Sequence, residues 1–246
     1  MTTASPARPG RLPLRPLTAR SVVLSLLLGV HPPELPVRDI VGTVGIFGVS
    51  EATLRVALSR MVSAGDLHRT GGVYRLSQRL LDRQRRQDDA VRPVLRSWHG
   101  DWEIGVVAVA GRSPADRAGL RTELSGLRLA ELREGVWLRP ANLSRAWPRR
   151  LGEVVRWFAG RPDEDAADLA RQLWDIEAWA ASAVTLLGYL AGASHPGDRF
   201  TAAAAAVRHL LTDPVLPAEL LPPHWPGDAL REAYAAYQAE VRAMTS

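Results

Sequence analysis

The 246-residue sequence has no cysteine and no lysine. Without Cys there is no disulfide framework and no thiolate metal site. None of the six His has metal-ligand spacing to another His or to an Asp/Glu pair. There is no G-x-G-x-x-G, no P-loop and no G-x-S-x-G, so the phosphate-cradling loops and the nucleophile elbow are missing too. The expectation is a protein without metal, cofactor or catalytic residues. Long apolar runs are also lacking. SVVLSLLLGV, residues 21–30, follows Arg15 and Arg20 as a leader core would, but HPPEL comes next where a small-residue cleavage site belongs. The run is far shorter than the roughly 20 residues a membrane span needs. It reads as a buried helix, and the chain as cytoplasmic with no membrane partner. Internal repeats and long low-complexity tracts are absent.

What is present is arginine, unevenly placed. All 31 basic residues are Arg, and the formal charge is +5. Residues 1–96 carry 15 Arg against 7 acidic residues, a balance of +8, while residues 97–246 carry 16 against 19, a balance of −3. Genome base usage accounts for Arg in place of Lys but not for this asymmetry. A basic surplus confined to one part is an electrostatic footprint for a polyanion. The length suits two or three small domains.

Residues 1–16 are Pro, Arg and small residues, read as a disordered basic arm. A helix follows over about 18–30, capped by Thr18, with Val23, Leu26, Leu27 and Val30 recurring and Leu24 and Leu28 widening the apolar face. A second helix covers 36–46 and a third 51–63, capped by Ser50 and stopped at Gly65. Residues 66–69 and 73–76 read as strands joined by Gly71-Gly72, a two-residue hairpin loop. Arg79 to Arg92 is a polar surface helix or linker. Beyond it, a buried strand at 103–110, a helix at 114–133, a strand at 135–138, a short helix near 144–150 and a strand near 153–159 predict a ferredoxin-like α/β sandwich. Helices are expected at 164–192, 198–212 and 228–243, the first starting on the Asp163-Glu164-Asp165 run; the Pro-rich 213–227 is not helical.

The third helix and the hairpin carry the clearest chemistry. On a helical wheel Leu54, Ala57, Leu58, Met61 and Val62 share one face, and the other holds small residues with Arg55 and Arg60. A helix entering the major groove needs such a slim outer face with a few side chains that reach base edges or phosphates. Arg55 and Ser59 project together at i and i+4, and Arg60 flanks them. Ser50 and Thr53 sit at the helix N-terminus, where hydroxyls and amides can take a phosphate. Arg69 and Arg75 flank a glycine tip able to approach the backbone of a duplex. Three helices followed by such a hairpin form a winged helix.

Four ordered stretches resemble the PaaX-type family of phenylacetic-acid degradation repressors: FGVSEATLRVALSRMVSAGDL (47–67), WHGDWEIGVVAV (98–109), GVWLRPANL (135–143) and LPAELLPPHWPG (216–227). The resemblance implies an α+β multi-domain protein: a winged helix-turn-helix domain over 17–92, a ferredoxin-like (Cas2-like) domain over 93–162 and a helical effector and dimerisation domain over 163–246. It implies a homodimeric repressor that binds double-stranded operator DNA and is released by an acyl-CoA thioester such as phenylacetyl-CoA. The family's recognition pattern falls on Ser50, Arg55, Ser59 and Arg60; Thr53, Arg69 and Arg75 rest on chemistry alone. The sequence departs from the family mostly at 178–212, which is unusually Ala-rich, including Ala202 to Ala206.

Two alternatives stand beside this reading. A Cas2-like domain invites metal-dependent nuclease activity, but the first strand runs into Ala108-Val109-Ala110-Gly111 without an acid, where two-metal chemistry needs closely placed carboxylates. An effector-independent DNA-binding protein would need only the basic part. For an effector pocket, Trp174, Trp179, His224 and Trp225 are candidates, although Trp at such positions more often packs a core.

Overall fold

The computed structural model describes residues 18–245; the arm expected over 1–16 lies outside them. In chain order the elements are α1 (Ala19–Gly29), β1 (Glu34–Pro36), α2 (Val37–Ile46), α3 (Glu51–Ser63), β2 (Leu67–Thr70), β3 (Val73–Leu76) and α4 (Gln78–Val91). There follow β4 (Trp102–Val107), α5 (Pro114–Gly126), β5 (Ala130–Arg133), β6 (Val136–Pro140), β7 (Val155–Gly160), α6 (Ala166–Leu173), α7 (Ile176–Gly192), α8 (Pro196–Leu210) and α9 (Gly227–Thr245). The strands form two antiparallel sheets, β1-β3-β2 and β5-β6-β4-β7. The chain divides into two compact units: residues up to Val91 with 182–209 and 228–246, and residues 92–181 with 210–227.

In the first unit α1 is the central helix. Thr18 Oγ1 accepts the Ser21 amide at 3.1 Å and Ser21 Oγ accepts the Thr18 amide at 3.0 Å, a capping box that satisfies donors a helix start leaves open. Val22, Val23, Leu24, Leu26, Leu27 and Leu28 are all buried, so α1 is covered on more than one side, as its widened apolar face predicts. The orphan carbonyls at its far end are met by α4: Gln84 Nε2 donates to Leu28 O at 3.1 Å and Val30 O at 3.0 Å. α4 is therefore more than a surface helix, since Leu80, Gln84, Gln87, Ala90 and Val91 are buried. α8 and α9 close over the same core, with Phe200 buried in it and Tyr237 and Val241 packed against it.

The β2–β3 hairpin turns on Gly71 and Gly72 at φ +57° and +80°, the left-handed pair a two-residue loop of this hand requires. β1 adds a third strand that the sequence reading missed; three residues ending in Pro are too short to show alternation.

In the second unit β4 lies between β6 and β7, and α5 carries the chain from β4 across to β5. This is the split β-α-β order, with differences from expectation at the connections. The helix expected over 114–133 stops at Gly126; Arg128 turns at φ +64°, and 130–133 becomes β5. No α-helix forms near 144–150; after Pro148 a 3-10 turn spans Arg149–Glu153. The helix expected over 164–192 is two, because Trp174 is extended and Asp175 Oδ1 then caps α7 through the Ala178 amide at 3.1 Å. All eight Trp of the sequence fall in this unit, and Trp157 stacks on Trp147 with centroids 3.8 Å apart.

Gly105 lies opposite Trp137 and Trp157 in the central strand. A Cβ there would stand 2.7 Å from Trp157 Cζ3, so glycine is what lets the indole lie across β4. Gly105→Ala is expected to lower stability by about 1–3 kcal/mol through overpacking. A thermal melt with an unchanged Tm would show that the ring moves aside without cost.

Candidate nucleic-acid interface

α3 is built to hold its outer face still. Ser50 Oγ accepts the Thr53 amide at 3.2 Å and shares a 2.9 Å hydrogen bond with Thr53 Oγ1, so both hydroxyls of the helix start are engaged with each other. Leu54, Leu58 and Met61 are buried, which anchors the inner face. Ala52, Arg55, Ser59, Arg60 and Ser63 are left exposed, as is Val56. Arg55 Nε donates to Glu51 Oε1 at 2.9 Å, with the Arg55 side chain 70% exposed. An exposed i,i+4 pair of this kind contributes only about 0.3–0.5 kcal/mol, so another anion could compete with Glu51 for the guanidinium.

The hairpin presents its two arginines on opposite faces. Arg69 pairs across the strands with Tyr74, and its guanidinium lies 5.7 Å from the ring centroid. Arg75 pairs with His68 on one side and Glu34 on the other, and forms an ion pair with Glu34. The alternation was legible by counting outward from Gly71-Gly72, since Leu67 and Arg69 share parity while Arg75 falls with His68.

Between α3 and the hairpin lies Asp66, which the sequence reading passed over. Its side chain is 5% exposed and bonded to Arg20 of α1 at 2.8 Å and to Arg79 of α4. Its amide donates to Met61 O at 2.9 Å and its carbonyl accepts the Ser77 amide at 2.9 Å. One residue thus ties the end of α3 to the start of both flanking helices. The signal available in sequence was a lone acid after a C-terminal glycine within a basic stretch.

In the second unit the acids that a nuclease would require are occupied. Glu103 binds Arg96 at 3.1 Å and Arg145 at 2.9 Å, and stands 3.7 Å from Arg139; Asp101 pairs with Arg161 at 2.8 Å. Among the described residues no group of three or more His, Cys, Asp or Glu could hold a metal ion. Arg139 is fully buried, and burial first, then Arg145, hold its guanidinium well below the usual arginine range, with Glu103 opposing them. Arg139 Nη2 donates to Asn142 Oδ1 at 2.6 Å and to Val215 O at 3.3 Å, and Asn142 Nδ2 donates to Val215 O at 3.0 Å. Val215 has φ +51°, costly for a β-branched residue; Asp213 Oδ1 holds its amide at 2.7 Å.

The aromatic candidates are packed on one another. Trp179 stacks on Trp225 at 4.6 Å and donates Nε1 to Thr212 Oγ1 at 3.2 Å; Trp174 stacks against Trp102 at 6.5 Å and also borders a recess of about 520 Å³. His224 is exposed, at φ +62°.

Asp66→Ala removes a carboxylate that two arginines share and is expected to destabilise the protein by about 1–3 kcal/mol. Urea denaturation followed by far-UV circular dichroism should show an earlier midpoint; an unmoved midpoint would mean the two exposed arginines lose nothing by turning to water.

Among the described residues no helix is long and apolar enough to cross a membrane. No curated protein matches the chain. A solved structure described as uncharacterized protein Rv0674 from Mycobacterium tuberculosis is 51% identical, over 93% of this chain and 97% of that one, with a TM-score of 0.81. Three family models match in order along the sequence: the PaaX-like protein model over residues 18–80, the PaaX central Cas2-like domain over 95–154, and the PaaX-like C-terminal domain over 177–246. With all three in order, and with a solved relative along nearly its whole length, the chain belongs to the PaaX-like family.

Proposed function

We propose that this chain is a DNA-binding transcriptional regulator whose N-terminal part is a winged helix-turn-helix. In this reading α3 enters the major groove and the β2–β3 hairpin is the wing. The observation that carries it is the outer face of α3: Arg55, Ser59 and Arg60 exposed among small residues, beside a glycine-tipped hairpin, in the part of the chain with a balance of +8. Arg55 and Ser59 would reach base edges, and Ser50, Thr53 and Arg60 the phosphates. On entering the groove Arg55 exchanges Glu51 for DNA, at a cost of only a few tenths of a kcal/mol. Arg75, held by Glu34 on the outer face of the hairpin, and Arg69, beside Tyr74, would meet the backbone from different sides.

The finer reading follows the family. The protein acts as a homodimer on a palindromic operator in the cytoplasm, represses a cluster for the breakdown of aromatic or related acids, and leaves DNA when an acyl-CoA thioester such as phenylacetyl-CoA binds. Residues 93–162 serve as a Cas2-like domain without nuclease activity, and 163–246 supply the effector and dimer functions.

Fluorescence anisotropy with the DNA upstream of the protein's own gene tests this. Sequence-preferring binding, weakened about 10- to 100-fold by Arg55→Ala in a folded dimer, is expected for a base-edge contact. One thioester of an acyl-CoA panel should release the complex. Equal affinity for random DNA that vanishes with salt would reduce the interaction to phosphate contact and end the regulatory reading. Incubation with Mg²⁺ or Mn²⁺ should leave DNA and RNA intact.

A further inference from the structure

The first unit contains a cavity of about 410 Å³ between α1, α4, α8 and α9. That size lies within the roughly 300–1,000 Å³ of pockets that hold small molecules. Its apolar wall is Leu24 and Leu28 of α1 with Phe200, Ala203, Ala204 and Val207 of α8. The small residues of α8 are what leave the room: they belong to the alanine-rich tract that departs from the family pattern. The polar part of the lining is one-sided. It contains Arg20, Arg83 and Arg208 and no acidic residue.

Two groups on the wall lack what a ligand would supply. Tyr237 Oη is buried without a hydrogen-bond partner among the described residues. A buried hydroxyl in that condition costs more than its bond would contribute, so a partner is expected in the occupied state. Beside it Tyr234 Oη accepts from Gln87 Nε2 at 2.9 Å and from Gln238 Nε2 at 3.4 Å, which leaves its proton for an acceptor. Arg83 makes no ion pair among the described residues; burial, then Arg20, Arg86 and Arg79, pull its guanidinium below the ordinary arginine value. A cation crowded by three others and facing no carboxylate favours an anion.

We propose that this cavity is a binding site for a small organic acid, a monocarboxylate with an aromatic or branched aliphatic body. The body lies on the α1–α8 wall and the carboxylate meets Arg83 and the Tyr237 hydroxyl. Because α1 packs against α2 and α3 as well as lining the cavity, occupancy reaches the exposed helix through one element. This last link rests on the DNA-binding reading; the site itself does not.

Isothermal titration calorimetry on the full chain separates the two. Benzoate, cinnamate and isovalerate are titrated, each beside its uncharged amide, with no DNA present. At least one acid is expected to bind at least about tenfold tighter than its amide, the scale of one charge-assisted hydrogen bond. Arg83→Gln and Tyr237→Phe should each weaken it about tenfold, and Ala204→Phe, which fills the cavity, should abolish it while circular dichroism shows an intact fold. Binding undiminished in Ala204→Phe, acid and amide bound alike, or no heat from any of the three acids overturns the proposal. A protein that binds an acid here but no operator would keep the site and lose only its regulatory meaning.

Discussion

Asp66 sits where α3 gives way to the hairpin, buried, and held by Arg20 from α1 and Arg79 from α4. Burying a carboxylate is tolerated only when its charge and lone pairs are met, and here both are met by side chains from other elements. The pairing therefore acts as a positional constraint. It requires α1, the end of α3 and the start of α4 to adopt one arrangement, and the strands β2 and β3 leave from that point. Gln84 repeats the logic at the other end of α1, satisfying carbonyls that no backbone partner can reach. A helix offered to DNA must keep its angle to the hairpin beside it, and these two polar anchors set that angle within an otherwise apolar core.

The second unit depends on a comparable knot. Arg139 and Asn142, from the stretch GVWLRPANL, hold the carbonyl of Val215 at the edge of LPAELLPPHWPG. Two motifs separated by more than seventy residues are thus halves of one hydrogen-bonded cluster. Asp213 from below and the two donors from above over-determine a backbone conformation that a valine would otherwise leave. These motifs read as family signatures because they shape the fold; in this chain they form no reactive centre.

Much of the N-terminal architecture was legible because its signals are local. Ser50 before an amphipathic run, Gly65 after it and Gly71-Gly72 in a basic stretch define α3 and the hairpin without reference to anything distant. The errors came where two local rules compete. Leu127 and Leu132 fit a helical period, so β5 was absorbed into α5; the stop lies at Gly126 and the left-handed Arg128. Trp174-Asp175 is a helix end followed by a cap, a signal present in the sequence but masked by the apolar residues on either side. Asp66, Gln84 and the cavity wall were illegible for a different reason. Their roles exist only once segments from 18 to 241 come together, and no spacing rule spans that distance.

The distribution of tryptophan has a spectroscopic consequence. Every indole lies within 92–181 or 210–227, several stacked in pairs, and the unit that carries α3 has only tyrosine and phenylalanine. Intrinsic emission is therefore a label on one half of the molecule, supplied by the sequence itself. Changes confined to the arginine-rich half leave it dark to that label, so a single Trp introduced on α9 would turn the silent half into a second, separately readable channel.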